Sequence, residues 1–135
     1  MSVNRRILGS HPAATDRRPF SRGVSVELGD ARMIFVSGIA AIDDDGKPMH
    51  VGDVRGQTRQ VFRLMQTLLE QDAASLRDVV KLTVFLKSVA DYEAMNEVRA
   101  ECFPELPPAS STVQAEMIRP EFLVEIEAIA VRPRV

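Results

Sequence analysis

Residues 123–131 read LVEIEAIAV. Val124, Ile126, Ala128 and Ala130 alternate with Leu123, Ile129 and Val131, which is the two-residue period of a strand. Both faces of this strand are apolar, interrupted by Glu125 and Glu127. Such a strand needs cover on two sides, and the upstream sequence supplies helices for one. Gly52-Asp53 opens the first, with Asp53 as N-cap and Val54, Val61, Leu64, Met65, Leu68 and Leu69 at helical spacing. Asp91 caps a second helix carrying Tyr92, Met95, Val98 and Cys102 on one side, and Pro104 and Pro107-Pro108 end it. Between them, Val80, Leu82, Val84 and Leu86 alternate with Lys81 and Thr83 as a strand. Ser111–Met117 is another. Nearer the start, Val24, Val26 and Leu28 alternate with Ser25 and Glu27, turn through 29–32, and return as Met33–Val36 to Ser37-Gly38, a hairpin. Residues 1–19 read as a short strand or arm at Ile7 and Leu8, then a polar loop with Pro12 and Pro19.

The element order is β-β-β-α-β-α-β-β, with each helix a crossover between neighbouring strands. Right-handed crossovers place both helices on one sheet face. The other face is left apolar and uncovered, so a partner subunit, and hence a homo-oligomer, is expected.

Composition bounds the function. The chain has 135 residues, 45% of them hydrophobic and 27% charged, which suits one globular domain over 1–135. A net charge of −2 argues against sequence-independent nucleic-acid binding, which needs a basic surface to release counterions. The single cysteine, Cys102, makes neither an internal disulfide nor a zinc site, so the chain reads as intracellular and cytoplasmic. No stretch approaches a membrane span, and the first twenty residues lack the apolar core of a signal peptide.

Candidate chemistry is sparse. Glu125 and Glu127 share one strand face, with Cα atoms about 6.6 Å apart. A carboxylate among aliphatic side chains is costly unless paired, and burial disfavours its charged form, which is one route to a general acid or base. The plain alternative is a wet strand edge or a structural ion pair. Ser110, Ser111 and Thr112 form a hydroxyl cluster at a strand entrance. They suit a carbonyl or carboxylate ligand, or simply cap the turn. Asp43-Asp44-Asp45-Gly46 is a turn, since its acids neither alternate nor lead to a bidentate glutamate as calcium requires. His11 and His50 sit in loops without a second ligand at metal spacing. Arg55, Arg59 and Arg63 read as a solvated helix face. Cys102 reads as an inert core thiol. No phosphate loop and no G-x-S-x-G elbow is present.

Several segments together resemble the Rid (reactive intermediate deaminase, or YjgF) family. They are PFSRG (19–23), IFVSG (34–38), GDVRGQTRQVF (52–62), LRDVVKLTVFLKSVADYEAMNEV (76–98), CFPELPPASSTV (102–113) and VEIEAIAV (124–131). The resemblance covers roughly residues 18–132. It implies an α+β, chorismate-mutase-like single domain, with a mixed sheet carrying two helices on one face. It also implies a homotrimer with a small-molecule pocket between subunits, and hydrolysis of reactive enamines or imines with release of ammonia, without metal or organic cofactor. Carried over by position, Glu125 is the catalytic residue. Phe20, Ser37, Gly38, Asn96, Ser110 and Thr112 bind substrate. Two departures stand out. The family motif P-A-R-S is Pro108-Ala109-Ser110-Ser111 here, so the arginine that clamps a substrate carboxylate is Ser110. The usual tyrosine is Phe20.

With no positive charge elsewhere in the matched motif, the first expectation is a divergent deaminase-type hydrolase acting on a small reactive enamine, imine or related compound, with ordinary 2-imino acid turnover weak or absent. The alternative is a non-catalytic ligand-binding module of the same fold. A third, RNA-directed activity, is weighed against by the acidic balance and the 5% of aromatic residues.

Overall fold

The computed structural model describes residues 3–9 and 18–135. His11, Pro12 and most of the expected polar loop lie outside the described residues. Six strands, β1 (Arg5–Leu8), β2 (Gly23–Leu28), β3 (Ala31–Ala40), β4 (Val79–Leu86), β5 (Ala109–Gln114) and β6 (Val124–Pro133), form one sheet in the order β1-β2-β3-β6-β4-β5. Helices α1 (Val54–Glu70) and α2 (Tyr92–Cys102) pack against each other and over one face. The mixed sheet and helix placement agree with the sequence reading.

One expectation is corrected. Only α2 crosses between neighbours, the parallel pair β4 and β5. Strand β6 inserts between β3 and β4, antiparallel to both, so α1 connects strands that do not touch. The two-sided apolar pattern accounts for this, because the strand least tolerant of water takes an interior position.

Helix α1 starts where expected, the Asp53 carboxylate accepting from the Gly56 amide at 3.0 Å. Its buried side meets the sheet through Val61, Met65 and Leu69, all 0% exposed. Phe62 packs edge-on against Phe103, ring centroids 5.3 Å apart. Asp91 stands at the N-cap of α2 without a side-chain cap bond. A 3₁₀ turn over Val89–Asp91, capped by Ser88, leads into the helix instead. The arginine face of α1 is engaged by α2. Arg55 bonds Glu97, Arg59 lies 3.5 Å from Glu101, and Arg63 bonds Gln60 of its own helix. That mutual bond raises Arg55 and holds the Glu97 carboxyl below its ordinary range.

Two strand faces differ from the expected alternation. In β4 a register irregularity between Val79 and Lys81 buries Val79 and leaves Val80 46% exposed. In β2 the polar set is the buried one: Ser25 is 0% exposed, while Val24 and Val26 face the side without helices. Asp72, at the end of α1, explains the inversion. Its buried carboxylate accepts from the Ser25 hydroxyl and from Arg32 Nε at 3.2 Å, and lies 3.3 Å from Arg6 and 3.8 Å from Arg132. A buried polar knot therefore ties α1 to β2, β3 and β6. The valines join Met33, Phe35, Ile129 and Val131 on the open face, paired as Val24–Phe35–Ile129 and Val26–Met33–Val131.

Candidate active site

The ladder between β2 and β3 ends at Gly23–Val36. Beyond it β3 runs on through Ala40, paired there with β6 alone. The register slips between the Val36–Ala128 and Ile39–Ile126 pairs, so Ser37 and Gly38 oppose the single residue Glu127. This is a bulge, a feature that re-aims side chains and recurs beside active sites. The notch holds a cavity of about 410 Å³, lined by Phe20, Ser37, Gly38 and Glu125 and reaching Leu64 and Phe122. The size suits a small molecule.

Four sequence-predicted residues thus share one cavity. Ser37 anchors its mouth. Its amide donates to the Arg22 carbonyl at 2.8 Å and its hydroxyl to the Ser21 carbonyl at 2.6 Å, fixing the segment that carries Phe20. Gly38 lies against Glu125, where an added Cβ would come 2.7 Å from Oε1. Among the described residues no hydrogen bond or ion pair engages the Glu125 carboxylate, the one carboxylate in the cavity wall. The plain alternative of an ion-paired glutamate does not hold for it. Glu127, on the same strand, is exposed. Arg119 also lines the cavity, held over Phe122 at 5.4 Å and bonded to the Gly46 carbonyl at 3.2 Å.

The other three predicted residues gather elsewhere. Ser110 and Thr112 register with buried Leu82 and Val84, so they point to the helix side. Glu125 registers with Phe85, on the opposite face. Strand β4 lies between, and the two registers differ by three residues, so Ser110 and Glu125 are about 14 Å apart from strand spacing and rise. Within one chain their strands, β5 and β6, are not neighbours. Around Ser110 the sequence reading missed a residue. Arg99, one turn beyond Asn96 on α2, donates through Nη1 to Ser110 Oγ at 2.9 Å and Thr112 Oγ1 at 3.5 Å. Through Nη2 it donates to Asn96 Oδ1 at 2.7 Å and to the Tyr92 hydroxyl at 3.3 Å. The i, i+3 spacing of Asn96 and Arg99 was the available signal.

His50 is exposed, as expected. The Asp43 turn is closed by its own side chain, Oδ1 accepting from the Asp45 and Lys47 amides at 2.8 and 2.9 Å. No cluster of three or more metal-ligating side chains occurs among the described residues. Among them, too, no helix is long and apolar enough to cross a membrane.

The chain is thus a small single-sheet α+β protein, with a cavity at a bulged strand end and a second polar cluster on the edge strand. Comparison with known proteins is specific. The family model described as Endoribonuclease L-PSP matches residues 10–132. The 3-aminoacrylate deaminase RutC of Acinetobacter baylyi is 41% identical over 98 residues, covering 73% of this chain and 78% of its own. A RutC family protein of Pyrococcus abyssi is 39% identical over 112 residues, covering 83% and 85%. A putative endoribonuclease of Thermotoga maritima superposes with TM-score 0.78 at 34% identity, covering 94% of this chain and 97% of that one. A YjgF-family structure from Mycobacterium tuberculosis gives 0.76 at 29%, covering 94% and 98%. The chain belongs to the YjgF/Rid family.

Proposed function

We propose that the protein is a cofactor-independent hydrolase that deaminates a small reactive enamine or imine in a cleft between two subunits of a homotrimer. The observation that carries this is the uncommitted Glu125 carboxylate, set against Gly38 in a cavity of about 410 Å³. By the same strand geometry Ser110 lies some 14 Å and Thr112 about 10 Å away, on the other face of the sheet, and Arg99 ties both to Asn96, so one chain holds two incomplete halves. A neighbouring copy docked on the open face, over Phe35 and Ile129, is the arrangement that joins them.

The chemistry is a balanced hydrolysis. An enamine protonated at carbon becomes an iminium ion. Water adds to the iminium carbon and gives a proton to Glu125. The nitrogen takes up a proton, and ammonia leaves as the carbonyl forms. Glu125 serves as the base that activates water. Phe20 shields the site, and the backbone at Ser37-Gly38 shapes its wall. The similarity to a 3-aminoacrylate deaminase makes a three-carbon enamine the first substrate to test.

The test is ammonia release from 3-aminoacrylate and 2-iminobutyrate, each generated in situ, with wild type and Glu125→Gln. Turnover by wild type and a loss of about 10²-fold or more in the variant are expected. Equal background rates for both proteins would leave binding without turnover as the function, the second reading, which a single carboxylate in the cavity wall also fits.

A further inference from the structure

Arg99 stands apart from most arginines in this chain. Arg32 is paired with Asp72, Arg55 with Glu97 and Arg77 with Glu105. Arg99 has no carboxylate partner among the described residues. Its four hydrogen-bond partners, Tyr92, Asn96, Ser110 and Thr112, are neutral oxygens. The guanidinium also sits over the Tyr92 ring at 5.9 Å. This half-buried cation is thus oriented on several sides without being neutralised.

The two hydroxyls matter most. A hydroxyl has one proton to give and two lone pairs to receive with. Ser110 and Thr112 accept from Arg99, so each keeps its own O–H to donate outward. A hydroxyl that accepts from a cation is polarised into a better donor. Two such donors beside an unneutralised guanidinium form a receptor for a small anion. They sit on β5, the edge strand of the sheet, where a neighbouring copy can reach them.

We infer that Arg99 is the carboxylate-binding residue of the active site, delivering from α2 the charge that the Ser110 position on β5 lacks. The substrate class is then a small enamine or imine bearing a carboxylate. Its carboxylate would be held by Arg99, Ser110 and Thr112 of one subunit while its C–N carbon faces Glu125 of the next. This rests on the intersubunit cleft proposed above. It reverses the expectation that loss of the motif arginine removes carboxylate recognition. Three other arginines line the Glu125 cavity, and none of them bonds these hydroxyls. Arg18 donates to the Gly9 carbonyl at 3.5 Å and lies over the Phe20 ring at 5.8 Å, Arg119 is taken by Gly46 and Phe122, and Arg22 is exposed.

The experiment separates binding from turnover. The probe is 2-oxobutyrate, a stable carboxylate, with 2-oxobutanamide as its neutral counterpart, titrated calorimetrically into wild type, Arg99→Gln, Arg99→Lys and Glu125→Gln. Folding of each variant is checked by its thermal transition. Wild type and Glu125→Gln are expected to bind the carboxylate. Arg99→Gln is expected to bind on the order of ten- to hundredfold more weakly, the range for one or two charge-assisted hydrogen bonds. Arg99→Lys is expected to fall between, since it keeps charge and loses the fork. The amide should bind weakly and equally to all four. Binding with this pattern but no deamination by wild type would support the Arg99 site and sink the deaminase reading. Undiminished carboxylate binding by folded Arg99→Gln, or no carboxylate binding by wild type, would overturn the inference.

Discussion

Gly38 makes room for the carboxylate of Glu125: a Cβ there would approach Oε1 to 2.7 Å, Cδ to 3.1 Å and Cγ to 3.2 Å. Gly38 does not have a left-handed backbone, so alanine fits its conformation. The glycine serves proximity between backbone and side chain, not a turn. Gly38→Ala is therefore expected to push Glu125 aside while leaving the fold intact. The deamination rate should drop about tenfold or more, short of the 10²–10⁴ expected for loss of a positioned base. Steady-state rates alongside a thermal melt check this. An unchanged rate would mean that the carboxylate does not work where it lies.

The open face predicts assembly. Phe35 is 42% exposed and lies between its register partners Val24 and Ile129, beside the Val26–Met33–Val131 row on one apolar surface. Sedimentation is expected to give three times the 15.0 kDa chain mass. Phe35→Asp places a charge in that surface and is expected to yield monomers without activity. An active Phe35→Asp monomer would show that one chain suffices.

A shared site also predicts rescue between variants. Glu125→Gln and Arg99→Gln each spoil one half of every cleft. Trimers refolded from an equal mixture should recover about a quarter of wild-type activity, the chance that an intact Glu125 meets an intact Arg99 across a cyclic interface. Refolding each variant alone should recover none. No recovery in the mixture would place both residues in one chain's site.

The Asp72 knot predicts a stability effect away from the cavity. Asp72 is 2% exposed and serves Ser25, Arg32, Arg6 and Arg132. Asp72→Ala removes one of the two carboxylates on Arg32, itself 8% exposed, leaving it Glu27 at 2.8 Å, and strips the Ser25 hydroxyl of its acceptor. A loss of roughly 1–3 kcal/mol is expected from urea denaturation. A change under 1 kcal/mol would mean that the knot is solvated.

Cys102 gives a pH prediction. Burial pushes its thiol above the ordinary range, Glu101 adds to this, and Arg59 partly opposes it. A raised pKa means less thiolate at any given pH, and the thiolate is the nucleophile. Alkylation by iodoacetamide should be slower than that of free cysteine at neutral pH, with its midpoint displaced to higher pH. A midpoint below that of free cysteine would contradict the burial argument and make Cys102 a reactive thiol.

Much of the fold was legible because periodicity reports burial. LVEIEAIAV is apolar on both faces, and β6 lies inside the sheet. The Val54–Leu69 stripe is helix α1. What periodicity could not show is which polar residue is buried for a partner. Ser25 looked solvent-facing because its reason for burial, Asp72, is 47 residues away. The bulge at Ser37-Gly38 was hidden because a slip of one residue depends on the opposing strand, not on the strand itself. The cavity residues were reached through the family motif. Arg99 was missed because it stands on a helix outside that motif, and only the fold brings it to Ser110.

The place of β6 has a consequence for how the chain is made. It follows every other strand in sequence yet forms the seam between β3 and β4, which share no ladder of their own. Until residues 124–133 leave the ribosome, the nascent sheet is two separate pieces, β1-β2-β3 and β4-β5, each with an apolar edge awaiting the same strand. Folding cannot be completed step by step during synthesis. It closes in one late event, and until then both open edges are surfaces on which a chaperone, or another unfinished chain, can act.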